Sequence, residues 1–235
     1  MTNEDRAHRQ LTLNVQLRDE ATLDNFYCGK SNQQMVAALR SQLDAPGEPF
    51  IYLFGAGDSG KSHLLQGACH LAGSSSLYLP LAELTGFDPS EVLHGVERMA
   101  LVCLDDIDAV MGNEQWELAL FNFFNRARDA RCRLLFSAPA APRVLQVDLP
   151  DLRSRLCWGS VYQLQSASDE VKQDIFCFRA GRRGLQVPLE VASYIVSRAP
   201  RALSALLDLL DQLDAASLAE KRPLSIPFVK EQLGW

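Results

Sequence analysis

Residues Gly55-Ala56-Gly57-Asp58-Ser59-Gly60-Lys61-Ser62 have the types and spacing of a loop that cradles a di- or triphosphate. Gly55, Gly57 and Gly60 let the backbone approach an anion closely. Lys61 brings a point charge to the terminal phosphates, and the Ser62 hydroxyl suits Mg²⁺. Asp58, Ser59 and the following His63 complete the candidate nucleotide-binding stretch. The flanks agree. Phe50-Ile51-Tyr52-Leu53-Phe54 reads as a buried strand, and His63 to Cys69 has helical spacing. Strand, glycine loop and helix N-terminus together aim backbone N–H groups and a helix dipole at one point.

Such a loop needs a second element to order metal and water. Met99 to Leu104 is an apolar strand ending in Asp105-Asp106, which places carboxylates at the edge that faces the phosphates. Asp105 is the candidate metal ligand, acting through water, and Asp106 the candidate for orienting or activating a water. Paired acids after a strand also cap helices. Ser137 closes the following strand and could report the nucleotide state, although a strand-end serine is commonly a turn former. Arg155 and Arg201 are of the type that meets developing phosphate charge, but residues of this type more often make surface ion pairs, and the residues around them do not lift either above that.

The elements around these residues predict an α/β base with a helical appendage. A helix is expected over Gln33 to Leu43, ended by Pro46, Gly47 and Pro49. Leu77-Tyr78-Leu79 predicts a second strand, Ser90 to Val96 a short helix, Glu114 to Arg128 an amphipathic helix, Cys132 to Ser137 a fourth strand and Val161 to Leu164 a fifth. Alternation of this kind predicts a five-stranded parallel sheet flanked by helices. After Gln165 only helices are expected. Ser168 caps the first, and Leu203, Leu206, Leu207, Leu210 and Leu213 share one face of another. The expected division is a mobile tail over 1–20, a nucleotide-binding base over 21–164 and a small all-helical lid over 165–235.

A net charge of −6 opposes a protein that grips DNA on its own, which requires a basic face. The six cysteines are scattered, without a C-x-x-C pair, so buried thiols are favoured over zinc or disulfides. Neither a signal-type stretch nor a membrane-length apolar run occurs in the sequence, and a cytoplasmic location is expected.

Thr22 to Asn32, Leu104-Asp105-Asp106-Ile107, Ser154-Arg155-Leu156-Cys157-Trp158-Gly159 and the stretch carrying Arg201 resemble the nucleotide domain of DnaA, the bacterial replication initiator, within the AAA+ class of P-loop NTPases. Ending at Trp235, the chain is not expected to carry the C-terminal helix-turn-helix with which DnaA reads duplex DNA. Its segment between Leu79 and Met99 also looks shorter than the one with which DnaA engages single strands. In both respects it resembles the Hda family, short DnaA homologues that switch DnaA off. Members of that family carry a Gln-Leu-x-Leu peptide that docks on the DNA polymerase III sliding clamp (beta subunit). Gln10-Leu11-Thr12-Leu13 matches, while Asn14-Val15 departs from the usual proline or bulky apolar ending, which implies modest clamp affinity.

The resemblance implies roles residue by residue. Gly55, Gly60, Lys61, Ser62 and Asp105 would bind nucleotide and Mg²⁺, Phe26 to Asn32 would lie near the adenine, and Arg201 would touch phosphates of its own chain. Arg155 would be an arginine finger offered in trans to ATP held by DnaA. Gln10, Leu11 and Leu13 would hold the clamp, and contact with DNA would be indirect or weak. ADP, rather than ATP, is the nucleotide implied. Hydrolysis by the chain itself is expected to be weak or absent, and homo-oligomerisation is left open. The rival readings are an autonomous AAA+ ATPase of helicase-loader type, a DNA-binding initiator-like module and, more remotely, a small-molecule kinase.

Overall fold

The computed structural model describes residues 17–235. In chain order the strands are β1 (Phe50–Phe54), β2 (Ser76–Pro80), β3 (Leu101–Asp105), β4 (Arg133–Ala138) and β5 (Ser160–Gln163). The helices are α1 (Gln33–Ser41), α2 (Lys61–Ala72), α3 (Leu81–Leu84), α4 (Pro89–Val92), α5 (Glu114–Asp129), α6 (Pro150–Leu156), α7 (Asp169–Arg182), α8 (Leu189–Arg198), α9 (Leu203–Glu220) and α10 (Ile226–Leu233).

The five strands form one parallel sheet in the order β2-β3-β4-β1-β5. Alternate side chains point to opposite faces of a strand, and here both faces are apolar. Phe50 and Tyr52 of β1, Val102 and Leu104 of β3, and Leu134 and Phe136 of β4 pack with Trp116, Leu120, Phe123 and Phe124 of α5. Ile51, Leu53, Leu101, Cys103 and Leu135 pack on the other face with Met35 and Leu39 of α1 and Leu64 and Leu65 of α2. The phosphate loop therefore leaves the sheet from β1, a strand sandwiched on both faces and flanked by β4 and β5.

Helices α7 to α10 enclose a core of their own, built on Phe176, Ile195, Leu206, Leu210, Leu213 and Phe228. Ser168 caps α7 by accepting from the Val171 N–H. Of the leucine face on α9, Leu206, Leu210 and Leu213 are buried, whereas Leu203 and Leu207 lie at its margin.

Several boundaries differ from the sequence expectation for identifiable reasons. Helix α1 stops at Ser41, after which the Gln42 N–H donates to the Leu39 carbonyl three residues back (3.4 Å) and the helical ladder ends, so Leu43 falls outside it and stays exposed. Gly95, at φ 72°, interrupts the helix expected over Ser90 to Val96 and divides α4 from a 3-10 turn at Val96–Arg98. Helix α6 has no counterpart in the sequence reading, although Pro150 in its first turn and the following Asp151 are start signals.

Residues 18 and 20, counted with the tail in the sequence reading, are packed. The Arg18 N–H donates to the Gln66 side chain at 3.0 Å. Glu20 pairs with Arg179 on α7 at 2.5 Å and with Arg183, the residue after α7, at 3.2 Å, and Arg183 continues to Asp211 on α9 at 2.5 Å. The segment ahead of α1 thus straps the sheet unit to the helical unit. No helix among the described residues is long and apolar enough to cross a membrane.

Candidate functional site

At the C-terminal end of β1 the chain passes directly into the glycine loop. Gly55 is buried so closely that a Cβ there would lie 2.2 Å from the Leu164 carbonyl oxygen, which only glycine avoids. Gly60, at φ 94°, makes the turn into α2 and supports the Phe26 ring, 3.1 Å from where its Cβ would be. Gly57 is exposed at the crest of the loop. Lys61 is buried, and its Nζ donates to the Gly55 and Ala56 carbonyls at 2.9 and 3.0 Å, which holds the ammonium inside the loop. Ser62, half-buried, follows it in the first turn of α2.

Ser59 carries an informative atom. Its Oγ is buried and finds no hydrogen-bond partner among the described residues. A buried hydroxyl without a partner costs about 1–3 kcal/mol. Within a loop of this geometry, a phosphate oxygen would satisfy it.

Phe26 and His63 form an aromatic pair beside the loop, with ring centroids 6.0 Å apart. The Thr22 carbonyl can only accept, so its 2.8 Å contact with His63 Nε2 fixes the proton on that nitrogen. Burial lowers the His63 pKa, the Thr22 bond opposing it, and the ring is held neutral. Asn32, half-buried, is the residue ahead of α1.

Two strands from β1, Asp105 ends β3 and is 1 % exposed. Tyr78 on β2 donates to its Oδ2 at 2.6 Å, and Ser137 on β4 donates to its Oδ1. The same Ser137 oxygen accepts from the Asp106 N–H at 3.0 Å. Ser137 therefore sits between the phosphate-loop strand and the acidic strand and ties the two acids together. Asp106 itself adopts φ 51°. Burial holds its carboxyl above the usual range, reinforced by the charges of Asp105 and Asp108 and opposed by Lys61. Ser62 and Asp105 offer the hard oxygen donors that Mg²⁺ prefers, and with the unpartnered Ser59 hydroxyl the set fits a magnesium nucleotide.

Three residues bear on the site from outside it. Asp58 does not point its carboxylate along the loop. It accepts from the Leu203 and Ser204 N–H groups at the start of α9, the latter at 3.1 Å. Arg201 lies exposed two residues ahead of that helix, with no ion pair among the described residues. Arg155 is in the last turn of α6, its guanidinium 4.1 Å from the centroid of the exposed Trp158 ring. Trp158 and Gly159 lead into the start of β5, where a Cβ on Gly159 would meet the Phe50 carbonyl oxygen at 2.1 Å. Phe50 opens β1, and the phosphate loop follows Phe54, which closes it. Arg155 thus stands at the opposite edge of the sheet from its own loop, about 13 Å of strand away. Gln10, Leu11 and Leu13 fall outside the described residues.

Sequence reasoning missed Tyr78 and Glu117. Tyr78 reads as one more apolar strand residue, though a buried phenol generally requires a partner. Glu117 is 1 % exposed and accepts from the N–H groups of Gly112 (2.8 Å), Asp148 (3.0 Å) and Leu149 (2.6 Å), which fixes the chain entering α6.

A five-stranded parallel sheet of this order, a phosphate loop after β1, acids after β3 and a helical lid define an AAA+ P-loop NTPase. The fold is similar to domain III of DnaA from Thermotoga maritima, with a TM-score of 0.75 at 19% identity, covering 94% of this chain and 98% of that one. It is also similar to AMPPCP-bound DnaA from Aquifex aeolicus (TM-score 0.70, 21% identity, 88% of this chain and 70% of that one) and to RuvB from Thermotoga maritima (0.68, 17%, 91% and 71%). An uncharacterised protein of Haemophilus influenzae is 41% identical over 230 residues, covering 96% of this chain and 99% of its own. Residues 169–233 match the model of the Hda lid domain. The chain belongs to the Hda-like family of DnaA-homologous AAA+ proteins.

Proposed function

We propose that the chain is a nucleotide-bound negative regulator of replication initiation, which stimulates ATP hydrolysis by DnaA by supplying Arg155 in trans. The observation that carries this reading is the position of Arg155. It stands at the sheet edge away from its own phosphate loop, stacked on an exposed tryptophan, and makes no ion pair among the described residues. A half-buried guanidinium at that end of the sheet is better situated for a neighbouring subunit's site than for its own, which supports the reading. Positive charge supplied across a subunit boundary to a γ-phosphate accelerates hydrolysis by ~10³–10⁵.

The chain's own loop would hold ADP with Mg²⁺, through Ser59, Lys61, Ser62 and Asp105, with Phe26, Asn32 and His63 on the base side and Arg201 from the lid. Bound magnesium would neutralise phosphate charge there. The DnaA structures of similar fold include complexes with AMPPCP, which supports nucleotide in the corresponding loop here. The Gln10-Leu11-Thr12-Leu13 peptide would dock on the sliding clamp and bring the regulator to replicated DNA.

Phosphate release by DnaA, measured with clamp loaded on DNA, tests the reading. Arg155→Ala should retain ADP and clamp binding and lose the stimulation. Undiminished stimulation overturns the finger. A second reading, hydrolysis in the chain's own site, is favoured by Asp106, whose raised pKa suits a proton acceptor beside Asp105. Steady-state turnover by the purified chain without DnaA, abolished by Asp106→Asn, would establish it.

A further inference from the structure

Helix α9 has 18 residues, yet its own sequence supplies neither a capping side chain at Ala202 nor an acid in its first turn. The first N–H groups of a helix need acceptors, and its positive end favours an anion. Here both come from a residue 145 positions earlier in the chain. The Asp58 carboxylate takes the Leu203 N–H and, at 3.1 Å, the Ser204 N–H.

Asp58 belongs to the phosphate loop, where a negative charge opposes the ligand's own charge. It also holds φ 62°, a conformation non-glycine residues adopt at some cost, and which Asp and Asn tolerate best. An acid at such a position needs a compensating partner, and α9 provides one. The capped residue Leu203 is two positions from Arg201, within about 7 Å of chain. Fixing the start of α9 on the loop therefore fixes where Arg201 leaves the lid.

We propose that Asp58 is a positioning residue for nucleotide binding: its carboxylate latches the lid helix to the phosphate loop and so sets Arg201 over the phosphates. This deepens the reading of the loop as a nucleotide site and rests on it. The latch makes lid position and loop occupancy a single equilibrium, because any ligand that displaces Asp58 releases α9, and any ligand that leaves it docked gains Arg201.

Titration of the full-length chain with ADP and Mg²⁺ tests the coupling. Asp58→Gly removes the carboxylate while keeping the positive φ accessible, and Asp58→Asn keeps an acceptor oxygen. Asp58→Gly should weaken ADP binding by roughly 2- to 30-fold, the factor that loss of a helix cap corresponds to. Asp58→Asn should recover most of it. Arg201→Ala should weaken binding in the wild-type background and have no further effect on Asp58→Gly. Hydrogen exchange should show the Leu203 and Ser204 amides losing protection in Asp58→Gly alone, while the base core stays protected.

Independent, multiplying effects of Asp58→Gly and Arg201→Ala would overturn the proposal, as would tighter ADP binding by Asp58→Gly, the result expected if the acid only repels phosphate. Failure of the wild-type chain to bind ADP would instead remove the nucleotide reading and the inference with it, so the two failures are distinguishable.

Discussion

The Tyr78 hydroxyl donates to the Asp105 carboxylate at 2.6 Å, joining the edge strand β2 to the acid that ends β3. Ser137 donates to the other oxygen from β4, so three adjacent strands converge on one buried charge. A hydrogen bond to a charged group contributes about 1.5–3 kcal/mol, and removing one donor leaves the carboxylate under-satisfied. Tyr78→Phe should lower the free energy of unfolding in urea by about 2 kcal/mol. Ser137→Ala should cost at least as much, because it also strips the acceptor from the Asp106 N–H. Both act on one carboxylate, so the double variant should deviate from additivity by more than about 0.5 kcal/mol. Additive losses would mean that Asp105 is held by something else.

Glu117 performs the same service for the segment that leads to Arg155. Three backbone N–H groups, from Gly112, Asp148 and Leu149, converge on its buried carboxylate. Glu117→Ala leaves all three without an acceptor and opens a cavity, and each unsatisfied group costs about 1–3 kcal/mol. A loss of about 3 kcal/mol or more is expected in denaturant titration. Leu149 directly precedes α6, so Arg155 should also lose its placement, and stimulation of DnaA should fall before the fold is lost. A loss under about 1 kcal/mol would show that water replaces the carboxylate.

Where the site's framework lies in consecutive residues, its local structure is legible in the chain. The strand before Gly55, the glycines, Lys61-Ser62 and the helix after them are set by local spacing, and the sheet unit with its helical lid followed from alternating strand and helix patterns. Contacts made across the sheet could not be read that way. Ser137 in isolation resembles a turn residue, and only the adjacency of β3 and β4 gives it Asp105 and Asp106 as partners. By its place in the loop Asp58 groups with the phosphate ligands, whereas its carboxylate is used by a helix 145 residues away. Glu117 follows Trp116 on an amphipathic helix, and nothing in the helical period marks it as a buried acceptor.

His63 makes stability depend on pH. Burial depresses its pKa in the folded chain, whereas in the unfolded chain it titrates near the usual value of about 6.5. Between those two values the unfolded state binds more protons, so stability rises with pH. The contribution is complete above about pH 6.5 and declines as pH falls below it towards the folded pKa. Urea midpoints for wild type and His63→Asn, compared at pH 7.5 and 5.5, should show the smaller decline in the variant. Equal declines would place the titration elsewhere.

Trp158 gives the sharpest test of how the proposed finger, Arg155, is held. Its ring is 41 % exposed, carries the Arg155 guanidinium at 4.1 Å and rests edge-on against Phe124 at 6.1 Å. An exposed cation–π contact contributes about 0.5–1 kcal/mol, which is a modest share of stability but also selects one direction for a flexible side chain. Trp158→Ala should therefore leave ADP binding unchanged and reduce stimulation of DnaA hydrolysis by roughly 2- to 5-fold, with Trp158→Phe in between. Arg155→Lys should fall much further, since an ammonium cannot reproduce the planar, forked contact with a phosphate. If Trp158→Ala matched wild type while Arg155→Ala was inactive, the indole would only be covering Phe124, and the guanidinium would be aimed by the partner.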